Sequence, residues 1–194
     1  MLYHVSLTKI EKFQLRIPRE RSEIENSSIK RICFSRTLEG AFSAIPRNFQ
    51  VLDGYLNLKE EFNINPIFYI YMIDEKDLDR KDIIKSNTLK KKMNVLDAMH
   101  TNEVWVLTDD IKVSCKVIEI EDFSFNRIKL NNCNCMWKIS NLTYKNLSHN
   151  DTSLIRTEEF WDKLRCKLKE ESNKDFTGYL FRYFISSKSV LHIK

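Results

Sequence analysis

Glu103 is the first side chain in this sequence whose type and place suggest chemistry. It opens the run Glu103-Val104-Trp105-Val106-Leu107, behind Asn102. The run is β-branched and aromatic and reads as a buried strand. A carboxylate at the mouth of such a strand needs a partner or a task, although a solvated sheet end would also account for it. His4 and Ser6 come next. Leu2-Tyr3-His4-Val5-Ser6 alternates, so both lie on one face of a first strand; taken alone, His4 is equally a structural residue. Arg16, Arg19 and Arg21 stand in a polar stretch over residues 9–25, read as a loop or short helices. Arg16 and Arg21 could clamp a pyrophosphate through bidentate contacts, with a solvated surface as the plain alternative.

These residues need elements to position them. Residues 29–35 read as a second strand ending at Ser35, and 37–45 as a helix capped by Ser35 or Thr37 and stopped at Pro46. Leu38, Ala41, Phe42 and Ile45 form its apolar face, where Phe42 serves either the core or a ligand. Residues 66–73 make a central strand, apolar on both faces. A charged segment over 74–92, ending in Lys90-Lys91-Lys92, reads as a short helix and a connection. Residues 111–120 alternate cleanly and predict an antiparallel neighbour of the Glu103 strand. Further on, 157–172 suits a helix and 178–185 a final strand. Cys133 and Cys135 are too close for the usual zinc-ligand pair and lack a second pair, so no metal site is expected.

Composition limits the function classes. The chain has 194 residues, 42% hydrophobic and 30% charged, an ordinary globular balance. Three glycines in all exclude a glycine-rich phosphate cradle. The net charge of +5 would steer an anionic ligand without making a nucleic-acid binder. Five cysteines without regular spacing suit a reducing compartment. No apolar run approaches the roughly 20 residues of a membrane helix and no signal peptide is visible, so a cytoplasmic protein with no membrane partner is expected.

Taken together, Tyr3-His4-Val5-Ser6, Arg31-Ile32-Cys33-Phe34-Ser35 and Asn102-Glu103-Val104 resemble the motif series of the histidine–tyrosine–glutamate ADP-ribosyltransferases, the class of diphtheria toxin and the poly-ADP-ribose polymerases. The resemblance extends over about the first 120 residues. It implies an α+β fold with two antiparallel sheets enclosing a cleft and helices outside, a core over 1–125 and an extension over 126–194. It also implies NAD as cofactor and a macromolecular acceptor, protein before nucleic acid. His4 and Ser6 would bind the adenosine-side ribose and the nicotinamide amide, Ser35 and Phe42 would line the nicotinamide site, and Glu103, with His4, would be catalytic. Cys33 stands where the family has tyrosine. That departure keeps two other readings open: a binding or inhibitor protein that kept the fold, and an RNA phosphotransferase or NAD hydrolase of the same fold. Small phage-type proteins share the Tyr-His-Val-Ser, Arg-Ile-Pro and Arg-Ile-Cys-Phe-Ser stretches, and a role against host defence follows by analogy with phage ADP-ribosyltransferases.

Overall fold

Seven apolar residues in a row, Ile67–Ile73 (β3), form a strand covered on both faces, and the rest of the sheet is built outward from there. The computed structural model describes residues 1–7, 9–18, 23–45, 48, 52, 67–131 and 134–148. Their strands are β1 Leu2–Ser6, β2 Ile32–Ser35, β3, β4 Ile83–Lys85, β5 Glu103–Val106, β6 Ser114–Lys129 and β7 Cys135–Leu147. Three short helices join them: α1 Leu38–Ser43, α2 Ser86–Lys92 and α3 Ala98–Thr101. The described residues are therefore α+β, with mostly antiparallel sheet and little helix.

The described strands form a single seven-stranded antiparallel sheet, in the order β4-β5-β2-β1-β3-β6-β7, where the sequence reading expected two sheets. A seam runs through this sheet. β1 meets β3 along its whole length, from Leu2↔Ile73 to Ser6↔Tyr69, but meets β2 only at Tyr3↔Ser35. Past that pair, the segment before β2 turns to the preceding loop, and Arg16 bridges Arg31.

Register decides which side chains can meet. Ser35 pairs with Glu103 and Cys33 with Trp105, so these four share a face, and Tyr3 joins them through Ser35. The opposite face carries Leu2, Ile32, Phe34, Ile73, Val104 and Val106, covered by Leu78 with Phe13 and Leu15. On the first face, toward α1, Phe42 packs with Phe68, Ile70, Ile118, Ile120 and Ile139, and at the β5 end Trp105 packs with Leu89, Val95 and Ala98.

The expected helix over 37–45 forms as α1. Thr37 caps it, its Oγ1 accepting the Gly40 N–H at 3.1 Å. Ser43 ties the helix to β7 by accepting the Ile139 N–H at 2.9 Å. Thr37→Ala is expected to lower stability by about 1 kcal/mol in chemical denaturation, the usual worth of an N-cap side chain. β6 starts later than expected and runs much further, and it pairs with β3 and β7 rather than with the Glu103 strand, whose neighbours are β2 and β4. A turn joins it to β7, with Leu130 N–H on the Asn134 carbonyl at 2.9 Å and Asn134 N–H on the Asn131 side chain at 2.8 Å. The helix over 157–172 and the strand over 178–185 lie outside the described residues. Among the described residues no helix is long and apolar enough to cross a membrane.

Candidate functional site

The chain enters β5 through a sharp turn. Asn102 caps α3 in the left-handed region at φ 52°, which asparagine tolerates better than most residues. Its carbonyl accepts the Arg36 N–H at 3.1 Å and its side-chain amide lies 3.4 Å from Thr37 Oγ1. The asparagine before Glu103 thus has a conformational reason for its identity. Glu103 follows as the first residue of β5, its carbonyl held by Ser86 Oγ of α2 at 2.7 Å.

Glu103 is 9% exposed. Trp105, two residues on and on the same face, donates its indole N–H to Glu103 Oε1 at 2.8 Å. Cys33 lies opposite Trp105, and its thiol favours the ionised form of the carboxyl. Burial raises the Glu103 carboxyl to about 7, Asp97 adds to the rise by repulsion, and the Trp105 bond works against both. Asp97, the residue before α3, is itself raised by burial. Burial, and Glu103 after it, push the Cys33 thiol well above its ordinary range. Cys33 is thus a neutral donor rather than a thiolate nucleophile.

Behind this pair sits Arg31, 1% exposed, its guanidinium 3.6 Å from the centre of the Trp105 ring. It is paired with Glu25 and bonded to the carbonyls of Asn26 at 3.1 Å and Ile29 at 2.9 Å. Its Nε has no partner among the described residues. Glu25, Arg31, Trp105 and Glu103 are thus joined in succession by an ion pair, a cation over a ring, and an indole N–H on a carboxyl. A carboxyl that titrates near neutrality can exchange a proton at physiological pH or, once ionised, face developing positive charge.

His4 and Ser6 are not brought to Glu103. By register they lie on the opposite face of the sheet. The His4 ring sits among Phe13 at 5.3 Å, Phe34 at 5.8 Å and Tyr71 at 6.3 Å between centroids. Its Nδ1 is 2.8 Å from the Cys33 carbonyl. A carbonyl only accepts, so Nδ1 carries the proton. Burial lowers the His4 pKa, which keeps the ring neutral. Tyr71 accepts the Ile10 N–H, and burial pushes its own phenol up to about 12. Ser6 pairs with Tyr69 across β1–β3.

The remaining expected residues divide in the same way. Ser35 stands next to Glu103 but is used by the backbone, its Oγ 2.6 Å from the Thr101 carbonyl and 2.9 Å from that of Thr37. Phe42 is fully buried and edge-on to Phe68 at 5.0 Å, within the apolar cluster under α1. Arg16 is exposed, and Arg21 lies outside the described residues. Among the described residues no three His, Cys, Asp or Glu side chains gather to hold a metal ion. Sequence reading missed Trp105 and Arg31. Both were within reach of the period-two rule: Trp105 is two residues from Glu103, and Arg31 is two residues from Cys33 on the strand it pairs with. Comparison of the chain with protein-family models, curated proteins and solved structures gives no match, so the geometry of the Glu103 cluster is what a functional reading has to rest on.

Proposed function

We propose that the chain is an NAD-dependent mono-ADP-ribosyltransferase acting on a macromolecule, a protein before a nucleic acid, with Glu103 as the group that acts at the ribose. The observation that carries this reading is the buried, anchored Glu103 carboxyl raised to about 7. Breaking the nicotinamide–ribose bond develops positive charge on the sugar ring, as in glycoside hydrolysis. A fixed carboxylate near that ring answers the charge, and the water-poor setting strengthens its effect. The seam between β1 and β2 supports the finer expectation of a sheet in two parts with a cleft between them. His4 here takes a supporting place: its bond to the Cys33 carbonyl fixes β2 from behind the carboxyl. Arg16, exposed beside this region, is a described cation able to meet a phosphate.

A specific observation favours a second reading. His4 and Glu103 share one cleft in the class this sequence resembles, and here register parts them. A binding or inhibitor protein that kept the fold and lost transfer fits that division. One experiment separates the two readings. The protein is incubated with NAD labelled on its adenylate half, with and without a cell lysate, and free nicotinamide is followed in parallel. Label on protein, with nicotinamide released, supports transfer to protein; label on RNA or DNA changes the acceptor. Nicotinamide release without label indicates hydrolysis, and intact NAD supports the binding protein.

A further inference from the structure

The proposed carboxyl is held by a neighbour that no motif marks. Glu103 and Trp105 are alternate residues of β5, so their side chains rise from the same face, and the indole N–H reaches Oε1 at 2.8 Å. The indole has no freedom to leave. Trp105 is fully buried, and the Arg31 guanidinium lies over its ring, 3.6 Å from the centroid, itself fixed by Glu25 and by the carbonyls of Asn26 and Ile29. A cation over an indole face draws electron density from the ring and makes its N–H a stronger donor.

We propose that Trp105, oriented by the Arg31–Glu25 pair, is the positioning residue of Glu103: it fixes Oε1 and leaves the second carboxyl oxygen as the atom through which the group acts. This rests on the reading of Glu103 as the acting group. The electrostatic setting agrees. Burial and Asp97 resist ionisation of Glu103 and Glu25 adds to them, while the Trp105 N–H and the Cys33 thiol favour it. Arg31 faces this group through Trp105 and Cys33, and His100 faces Asp97 from α3. The indole therefore places the carboxyl and also holds its ionisation within reach of neutral pH.

The test is a titration followed by NMR. In the intact chain labelled with 13C at the glutamate carboxyls, the Glu103 resonance is assigned by its loss in Glu103→Gln. The three indole N–H protons are assigned through Trp105→Phe, Trp137→Phe and Trp161→Phe. In the wild-type protein the Trp105 N–H proton is expected to shift with the midpoint of the Glu103 carboxyl, and an indole proton that ignores that titration overturns the proposal. Trp105→Phe keeps an aromatic ring under Arg31 and removes the donor. It is expected to move the Glu103 midpoint upward, and an unmoved midpoint also overturns the proposal. If Trp105→Phe does not fold, the wild-type coupling decides alone, with the indole assigned from the other two variants. In NAD cleavage the same variant should lower kcat about ten- to a hundredfold, the worth of one bond to a charged group, with KM little changed. Its pH profile should move with the carboxyl. Should the midpoints behave as expected while the wild type leaves NAD intact, or cleaves it no faster than Glu103→Gln and Trp105→Phe do, the positioning stands and the transferase reading fails.

Discussion

Gly40→Ala is expected to destabilise the protein by about 3 kcal/mol, at the upper end of the range for overpacking a close contact. The contrary expectation is reasonable, since alanine replacing glycine in a helix ordinarily gains about 0.5–1 kcal/mol. Geometry decides the sign. A Cβ built on Gly40 falls against the Thr101 carbonyl, Ser35 Oγ and Thr37 Oγ1, at separations that real side chains do not tolerate. The first of these is backbone at the end of α3, one residue before the turn into β5. The other two are already engaged, Ser35 with the Thr101 carbonyl and Thr37 with the N-terminus of α1. None can withdraw without loosening the entry to Glu103. Urea denaturation monitored by circular dichroism measures the change, and a Gly40→Ala variant as stable as the parent would show that α1 can lift off this corner freely.

Glu103→Gln is expected to reduce nicotinamide release by about 10²–10³, the usual loss when one preorganised electrostatic group is removed from a site. Glutamine keeps an oxygen for the Trp105 N–H but lacks the charge needed in the transition state, so turnover should fall much more than NAD affinity. Asp97→Asn should matter less. For the wild type, the rate should rise as pH passes about 7, where the carboxyl ionises.

Stability should move the other way with pH. The folded carboxyl titrates at about 7 against an ordinary 4.5, so the folded chain retains a proton that the unfolded chain releases. The stability this contributes is fully present below about 4.5 and is lost as pH rises through about 7, a change of about 3 kcal/mol at most. Tm should therefore fall between pH 5 and pH 8 in the wild type and much less in Glu103→Gln, with a smaller slope of the same sign left by Asp97, which burial also raises. Parallel melting curves for the two proteins would mean that another group titrates in this range.

The strands that could be read from the sequence were those whose alternation or apolar run is unbroken. β1, β3 and β5 form where the pattern puts them, and α1 forms because Thr37 supplies a cap and Phe42 an apolar face. Of the long β6–β7 hairpin only part of the first strand was expected and β7 not at all, although Phe123, Phe125, Ile139 and Leu142 pack on the core. Many of its residues are exposed, so one-sided burial leaves a polar pattern, and register shifts at Ile120, Asp122 and Ser124 interrupt the alternation. The site was half legible. Glu103 stood out because a carboxylate beside an apolar strand is uncommon. The spacing of Arg31 from Cys33 was legible but its burial was not, because a buried arginine is rarer still, and only the fold reveals the ring and the counter-charge that make burial tolerable. The face on which His4 lies depends on pairing β1 with β2, and strand pairing is a long-range property that residue patterns do not contain.

The strand order has a consequence for how this chain comes to be folded. β1 and β2 lie inside the sheet, yet they are synthesised before every strand that flanks them. Ser6 waits for Tyr69, and Ser35 waits for Glu103. At about 5–20 residues per second of translation, each wait lasts several seconds. Through that interval Leu2, Ile32 and Phe34, all buried in the finished protein, have one another with Phe13 and Leu15 but lack Ile73, Leu78, Val104 and Val106. Such non-local pairing belongs to slow folders. A nascent chain stopped before β3 would present an apolar N-terminal segment to the cell's chaperones, and one carried past β6 would withdraw it.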